Sequence, residues 1–259
     1  MNKSLKKFYI FLTSLFIFLI HLPFVFAKMK PVSHSVADVS NSKNNSTLLG
    51  DIANEPVSSS KSYVFDSLHL NSFGLSRQAF DYALQGFNVL RSAGKLNSDS
   101  IISIVDFSLS SSKKRLFVID LKNLKMLFNT YVAHGRNSGI EYATQFSNDP
   151  KSFESSLGFY ITKDTYKGTH GFSLRLEGEE NGINDNAYSR AIVMHCAGYV
   201  NEKYIESKGY IGRSLGCPAL PKKIYKPIIE KIKGGTCLFM YSPDTYYLSH
   251  STILQQQAS

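Results

Sequence analysis

Beyond about residue 100, apolar side chains recur with a period of two, in short runs separated by turn residues. This period is typical of strands, because successive side chains of a strand point to opposite faces of a sheet. The first runs are Ile101–Asp106, Arg115–Asp120 and Lys125–Ala133, with a turn at Leu121–Asn123. Further strands are predicted at Phe159–Ile161, Ser173–Leu176, Ala191–Cys196 and Thr236–Tyr241. The pattern predicts a mainly β (α+β) fold, an antiparallel, sandwich-like sheet with one or two packed helices.

Two segments carry a helical period instead. One has apolar residues at three- and four-residue spacing, namely Phe80, Ala83, Leu84, Phe87 and Leu90. Ser76 is a suitable N-cap for this helix, and Gly94 ends it. The other helix is predicted over Lys222–Lys233, with prolines near its start and Gly234 at its end. We therefore expect residues 63–97 to form a helical lead-in that packs on the β domain.

The first 27 residues are typical of a secretory signal peptide. Three lysines precede the apolar run Phe8–Ile20, and Val25 and Ala27 supply small residues at the cleavage site. An uncleaved anchor is the alternative, although the run is shorter than the roughly 20 apolar residues that a span needs. We predict export to the periplasm or cell envelope, with no stable membrane span after signal cleavage.

The domain organisation follows from composition. After the signal peptide (1–27), residues 28–62 are rich in Ser and Asn and nearly free of aromatic residues, which predicts a flexible tether. The catalytic domain is predicted over 63–248, with 249–259 as a C-terminal tail. The formal net charge of +9 becomes +6 without the three signal lysines, which suits an anionic partner. No dense basic cluster predicts nucleic-acid binding.

The strongest chemical signal is the run GRSLGCP at 212–218. Glycines on both sides of Ser214 permit a tight backbone path. A thiolate on Cys217 could then be exposed together with neighbouring backbone amides. Acyl transfer needs both a nucleophile and donors for the developing oxyanion. A Gly-rich turn with a buried cysteine is the structural alternative.

His195 ends the apolar strand AIVMH and could take the proton of a nearby thiol. An imidazolium beside a cysteine would also lower the thiol pKa below about 8.5. The 22-residue offset from Cys217 allows a strand, an excursion and a returning loop. A histidine that merely ends a strand is the alternative, because the spacing permits catalysis without requiring it.

Together these motifs resemble the L,D-transpeptidase (YkuD-type) family, in its murein L,D-transpeptidase catalytic domain branch. The resemblance is carried by RAIVMHCAGYV followed by GRSLGCPAL. Upstream blocks fit as well, namely HGRNSG at 134–139, TQFSN at 144–148, SSLGFYIT at 155–162 and YKGTHGFSLRLEG at 166–178. The resemblance covers about residues 63–245. It implies that Cys217 is the nucleophile, His195 the base and Ser214 the residue that orients the site, with the amides of Gly216 and Cys217 as oxyanion donors.

The sequence departs from the family pattern in three places, one of which is a stretch between His195 and Ser214 that is slightly long for the broader family. Cys196 follows the histidine where the family usually has glycine, and Pro218-Ala219-Leu220 replaces a stretch with an arginine shortly after the nucleophile. Another guanidinium would then have to bind a substrate carboxylate. The candidate substrate-binding residues are Arg213, His170, Arg175 and Arg190.

No metal or other cofactor is predicted. His134, His170, His195 and Cys196 could compose a zinc site, but neither an HExxH motif nor paired-cysteine spacing supports one. Cys196 and Cys237 lie on two predicted strands, so they could form a disulfide or remain as two reduced core thiols.

The resemblance implies a peptidoglycan enzyme that attacks stem tetrapeptides. It would cleave the L,D bond before the terminal D-Ala through a Cys217 thioester and form 3→3 cross-links. The alternatives are an L,D-carboxypeptidase that trims tetrapeptides, an enzyme that attaches protein amines, and an inert peptidoglycan-binding module.

Overall fold

The structure is a computed structural model and describes residues 63–256. The predicted signal peptide and tether lie outside the described residues, as do residues 257–259. Within the described part, no helix is long and apolar enough to cross a lipid bilayer.

The predicted lead-in helix is confirmed as α1, Arg77–Ser92. Ser76 Oγ accepts a hydrogen bond from the Ala79 amide at 3.1 Å, and Gly94 follows the helix in the left-handed region at φ 66°. One face of α1 is buried against the sheet. At Gly86 that approach is so close that a Cβ would lie 2.1 Å from the Phe159 ring, so only glycine fits there.

Eight strands form the sheet: β1 (Ile101–Asp106), β2 (Leu116–Asp120), β3 (Lys125–Thr130), β4 (Gly158–Gly168), β5 (Gly171–Gly178), β6 (Val193–Ala197), β7 (Ala219–Pro221) and β8 (Cys237–Tyr241). Their order across the sheet is β3-β2-β1-β8-β4-β5-β6-β7. The predicted mainly β fold is confirmed. The sheet is mixed, however, because β1 pairs with β8 and β6 with β7 in parallel.

The two edges of this sheet meet. Ala133, just beyond β3, bridges to Ala219 in β7, and the Ala133 amide donates to the Ala219 carbonyl at 2.9 Å. The eight strands therefore form a sheet that is nearly closed on itself. The sheet packs on an apolar core, in which the rings of Phe159 and Phe239 stack with centroids 4.2 Å apart. The Ala133 bridge gives the short strand β7 a partner on its outer side, so fewer of its backbone hydrogen-bonding groups stay unpaired.

The predicted strands are correct in position but differ in length. The expected strands Phe159–Ile161 and Ser173–Leu176 are parts of a long hairpin, β4–β5, with an irregularity between Thr162 and Thr165. This hairpin carries half-exposed residues near its tip, where the apolar pattern fades. The three-residue strand β7 was not predicted, because Ala219–Pro221 is too short to show any period.

Three α-helices follow β6 in the chain: α2 (Glu202–Lys208), α3 (Tyr225–Ile232) and α4 (Thr245–His250). Shorter helical segments lie at residues 63–67 and, as 3-10 turns, at Leu70–Phe73 and Asp185–Ala187. Helix α3 lies within the predicted Lys222–Lys233 and links β7 to β8. The expected domain end at residue 248 falls inside α4. Beyond it, Ser251 and Ile253 are buried, and Ser251 Oγ donates to the buried carboxylate of Glu180. Residues 251–256 thus pack against the domain, which the polar composition of the segment did not indicate.

Candidate active site

The parallel pairing of β6 with β7 brings Cys217 close to His195. Ala219 lies opposite His195 in the register, so Cys217, two residues earlier, is level with Val193. The contact of the Val193 amide with Cys217 Sγ, at 3.5 Å, agrees with this placement. The Cys217 thiol therefore lies beside the strand that carries His195, near its Val193 end.

Ser214 folds the loop before β7 into a tight turn. Its hydroxyl donates to the Cys217 carbonyl at 2.6 Å and accepts from the Gly216 amide at 3.1 Å. The backbone of Ser214 is fixed as well, because its amide donates to the His134 carbonyl at 2.9 Å and its carbonyl accepts from the Arg136 amide at 2.8 Å. Ser214 thus orients the backbone of Cys217 through hydrogen bonds within the loop.

A second serine holds the same loop from outside. Ser155 Oγ donates to the Gly216 carbonyl at 3.1 Å and accepts from the Gly135 amide at 3.0 Å. Gly216 has φ 121°, and a Cβ there would lie 2.8 Å from the Glu154 carbonyl oxygen. The quoted blocks HGRNSG and SSLGFYIT therefore contact the GRSLGCP loop directly. Sequence reasoning missed the role of Ser155, since a serine in a loop gives no signal of its partner.

The two predicted oxyanion donors are not equivalent in this structure. The Gly216 amide already donates to Ser214 Oγ. The Cys217 amide has no hydrogen-bond acceptor among residues 63–256. Of the two, only the amide of Cys217 is available to a substrate oxygen without breaking a hydrogen bond of the loop.

The His195 ring is held in one tautomer. Nδ1–H donates to the Cys196 carbonyl at 2.9 Å, which leaves the lone pair of Nε2 as the basic site. The residue is only 4% exposed, and burial is the main cause that lowers the pKa of His195 below its ordinary value. The ring stacks on that of His170 with centroids 4.4 Å apart and an angle of 22°. A neutral imidazole with a free Nε2 is a competent proton acceptor.

The Cys217 thiol is partly buried. Burial raises the pKa of Cys217, and the opposing effects of the Val193 amide and the Arg190 charge are smaller. Its Sγ contacts the Ala191 carbonyl at 3.7 Å. Among the described residues, no hydrogen bond joins Sγ to the His195 ring. The expectation that an imidazolium lowers this thiol pKa is therefore wrong, because desolvation disfavours both charged forms.

Backbone strain is present at the same point. Ala191, whose carbonyl contacts Cys217 Sγ, has φ 54°. The left-handed region is disfavoured for a residue with a Cβ, and such residues cluster at functional sites.

The four candidate substrate-binding residues have different surroundings. His170, at the tip of the β4–β5 hairpin, is exposed and covers His195. Arg190 donates from both terminal nitrogens to four acceptors, namely the Ser147 and Glu154 carbonyls and the Ser152 and Ser156 hydroxyls. Arg213 donates to the carbonyls of Arg136 and Gly139. Arg190 and Arg213 thus brace loops, whereas Arg175 projects from β5 on the outer face of the sheet.

Two buried side chains, Arg115 and His134, support the Ser214 segment. Arg115 is fully buried and donates to the carbonyls of Leu109 and Val132 and to Nδ1 of His134. Burial lowers the pKa of Arg115 to about 9 and that of His134 to about 3. His134 is therefore a neutral, structural histidine, and its carbonyl accepts from Ser214. A buried arginine of this kind has no local sequence signature.

Cys196 and Cys237 do not form a disulfide. All three cysteines are free thiols. Cys196 in β6 and Cys237 in β8 are separated by β4 and β5, or about 14 Å at the usual strand spacing. A disulfide requires Cα atoms within about 7 Å, so this structure excludes one. In the described part of the chain, no group of three or more potential metal ligands is present.

Replacing Gly216 should disturb the Cys217 loop more than replacing a glycine of similar backbone conformation elsewhere. Gly209, which ends α2 at φ 84°, has no atom within 4 Å of a built Cβ. We expect Gly209→Ala to lower Tm by about 2–4 °C, from left-handed strain alone. Gly216→Ala adds a clash with Glu154 and should lower Tm at least twice as far. Equal shifts in calorimetry would show that the loop relaxes freely.

The pH dependence of Cys217 alkylation should reflect the raised thiol pKa. Thiolate is the reactive form, so the rate with iodoacetamide should still be rising above pH 9. The same cysteine in the urea-unfolded chain serves as control and should reach its plateau at lower pH. Peptide mass spectrometry gives the rate at Cys217 alone. A plateau below pH 7 in the folded chain would instead indicate a preformed thiolate–imidazolium pair.

Several solved structures and one family model are similar to this chain. Solved structures similar to this chain include an L,D-transpeptidase from Mycobacterium smegmatis, with 12% identity, 55% of this chain and 59% of that chain covered, and a TM-score of 0.35. Another is a mutant of the helical cell shape determining protein Pgp2 from Campylobacter jejuni, with 11% identity, 62% and 57% covered, and a TM-score of 0.39. The L,D-transpeptidase from Stackebrandtia nassauensis has 15% identity, 64% and 67% covered, and a TM-score of 0.34.

The chain spans less than two thirds of the length of the first two of these structures. No match was found among curated proteins. A family model described as the L,D-transpeptidase catalytic domain matches residues 71–241, which include the whole nearly closed sheet and both Cys217 and His195. Since this match spans well over half of the 259 residues, the chain belongs to the L,D-transpeptidase catalytic domain family.

Proposed function

We propose that the protein is an exported cysteine acyltransferase that forms 3→3 cross-links between peptidoglycan stem peptides. Its family indicates a peptidoglycan-related function. The observation that carries the finer proposal is the contact of Cys217 Sγ with the strand that bears His195, whose Nδ1 donates to the Cys196 carbonyl and leaves Nε2 as the basic nitrogen. Export would place the enzyme in the periplasm or cell envelope, where its substrate lies.

In the acylation step, His195 acts as a general base. Nε2 takes the thiol proton while Sγ of Cys217 bonds to the carbonyl carbon that joins the third residue of the stem, a diamino acid, to D-Ala. The carbonyl π electrons move to oxygen, and the Cys217 amide donates to the resulting oxyanion. The C–N bond then breaks, the imidazolium protonates the departing amine of D-Ala, and a thioester remains.

The second step returns the enzyme to its starting state. An amine from a neighbouring stem attacks the thioester and gives a proton to His195 as the new C–N bond forms. Cys217 leaves as a thiolate and recovers that proton. A thiol and an imidazole that are both neutral at rest suit this cycle, because each proton transfer coincides with a bond change.

The acceptor distinguishes the competing functions. Water in place of the amine gives an L,D-carboxypeptidase, and a protein amine gives attachment of that protein to the wall. An inert domain that only binds peptidoglycan would form no thioester.

The test is incubation of the purified chain with a disaccharide-tetrapeptide, followed by mass spectrometry of the products. We expect loss of D-Ala together with cross-linked dimers. Cys217→Ala should abolish both, because it removes the proposed nucleophile. Cys237→Ala, which removes a buried thiol in β8 remote from the site, should retain them.

Each other outcome points to a specific alternative. Loss of D-Ala without dimers would assign carboxypeptidase activity. Unchanged substrate with wild type would favour the binding module, and full activity of Cys217→Ala would exclude Cys217 as nucleophile.

A further inference from the structure

The turn that joins β4 to β5 places the ring of His170 over that of His195. The two strands pair as far as Gly168 and Gly171, so only Thr169 and His170 form the loop between them. The imidazole rings are stacked, with centroids 4.4 Å apart and an angle of 22° between their planes. At this separation the faces of the two rings are in van der Waals contact.

The ladder between β5 and β6 stops one residue before His195. Its last pair is Leu174 with Met194, and from His195 onward β6 pairs with β7 instead. The start of β5 and the turn before it therefore lie beyond this ladder, at the His195 end of β6. The Cys196 thiol donates to the His170 carbonyl at 3.5 Å and ties the turn to that end.

The two stacked rings differ sharply in exposure. His170 is exposed, whereas His195 beneath it is only 4% exposed. Burial is the main cause that lowers the pKa of His195, and the charge of His170 lowers it further, against the opposing hydrogen bond to the Cys196 carbonyl. A stacked ring covers the face of its neighbour and does not occupy the lone pair of Nε2, which lies in the ring plane. His195 is thus shielded from water but still able to accept a proton.

The other titratable groups near the turn belong to the hairpin, to β6 and to α3. They are Lys167, Cys196, Tyr225, Lys226 and Glu230. On β6 itself, Cys217 Sγ contacts the Val193 amide. Of the charged groups described, His170 has the largest effect on the His195 ring. The control of His195 by a neighbouring side chain is therefore concentrated in one residue.

We propose that His170 is a positioning residue, whose ring holds the plane of the His195 imidazole and keeps water from it, so that His195 stays an unprotonated base. The inference rests on the proposed function, since it takes His195 as the base that receives the Cys217 proton. A general base must be unprotonated and correctly oriented to accept a proton as the new bond forms. This role differs from the substrate contact expected of His170 from sequence, because the ring acts on His195 and not on the substrate.

Titration of the His195 ring measures this role without any substrate. Long-range proton–nitrogen correlation spectra of protein with ¹⁵N-labelled histidine report the pKa and the tautomer of each ring. His195→Ala identifies the His195 signals. In the wild type we expect the pKa of His195 to lie below its ordinary value, with the proton of the neutral ring on Nδ1.

His170→Ala should shift the pKa of His195 upward, because it removes both the cover and the charge that lower it. His170→Phe retains a ring over His195 and should keep the pKa of His195 low. His250→Ala is the matched control, since His250 is also an exposed histidine stacked on an aromatic ring, Tyr246 at 4.0 Å, but on α4. This control should leave the His195 titration as in the wild type. An unchanged pKa of His195 in His170→Ala would overturn the proposal.

Turnover of the disaccharide-tetrapeptide separates positioning from substrate contact. We expect His170→Ala to lower kcat about tenfold, a part of the roughly 10²–10⁴-fold that a positioned base contributes. KM should change little, and the acid limb of the pH profile of kcat/KM should move upward with the pKa of His195. His170→Phe should restore most of kcat. A raised KM with kcat retained in His170→Ala would instead assign His170 to substrate binding and overturn the proposal.

The two proposals fail in different ways. If the wild type leaves the tetrapeptide unchanged while His170→Ala still shifts the pKa of His195, the proposed function is refuted and the control of His195 by His170 stands. If the wild type forms cross-linked dimers while His195 titrates identically in His170→Ala, the proposed function stands and the positioning role is refuted.

Discussion

The short parallel pairing of β6 with β7 determines how Cys217 and His195 lie relative to one another, and most surrounding contacts maintain it. A three-residue strand has few hydrogen bonds of its own, so β7 depends on its neighbours. Ala133 completes the sheet on its outer side, while Ser214 and Ser155 fix the preceding loop at the carbonyls of Cys217 and Gly216. The position of the thiol is thus a property of the whole nearly closed sheet.

The same enclosure determines the protonation states at the site. Burial raises the pKa of the thiol and lowers that of the imidazole, so both groups are neutral near pH 7. Such a pair has low intrinsic reactivity, and a proton must move as the new bond forms. A thiol that stays neutral until substrate is bound resists oxidation, because the thiolate is the species that oxidants attack.

Local features of the fold were predictable from sequence, and long-range ones were not. The Ser76 cap and the apolar face of α1 are encoded within one helix, and β1 was predicted with its observed bounds. The parallel pairing of β1 with β8 joins distant parts of the chain, so no local pattern indicates it. At the site, residue types identified Cys217, His195 and Ser214 as candidates. The burial that reverses the expected thiol pKa and the support from Arg115 emerge only from packing.

We propose that the stem peptide acylates Cys217 with His195 as the base. The most direct measurement is the intact mass of the protein after rapid mixing with tetrapeptide and an acid quench, which preserves a thioester. We predict a mass increase equal to that of the stem tripeptide minus one water, mapped to Cys217 and strongly diminished in His195→Ala. Release of D-Ala with no adduct at any time, or an adduct on another residue, would contradict it.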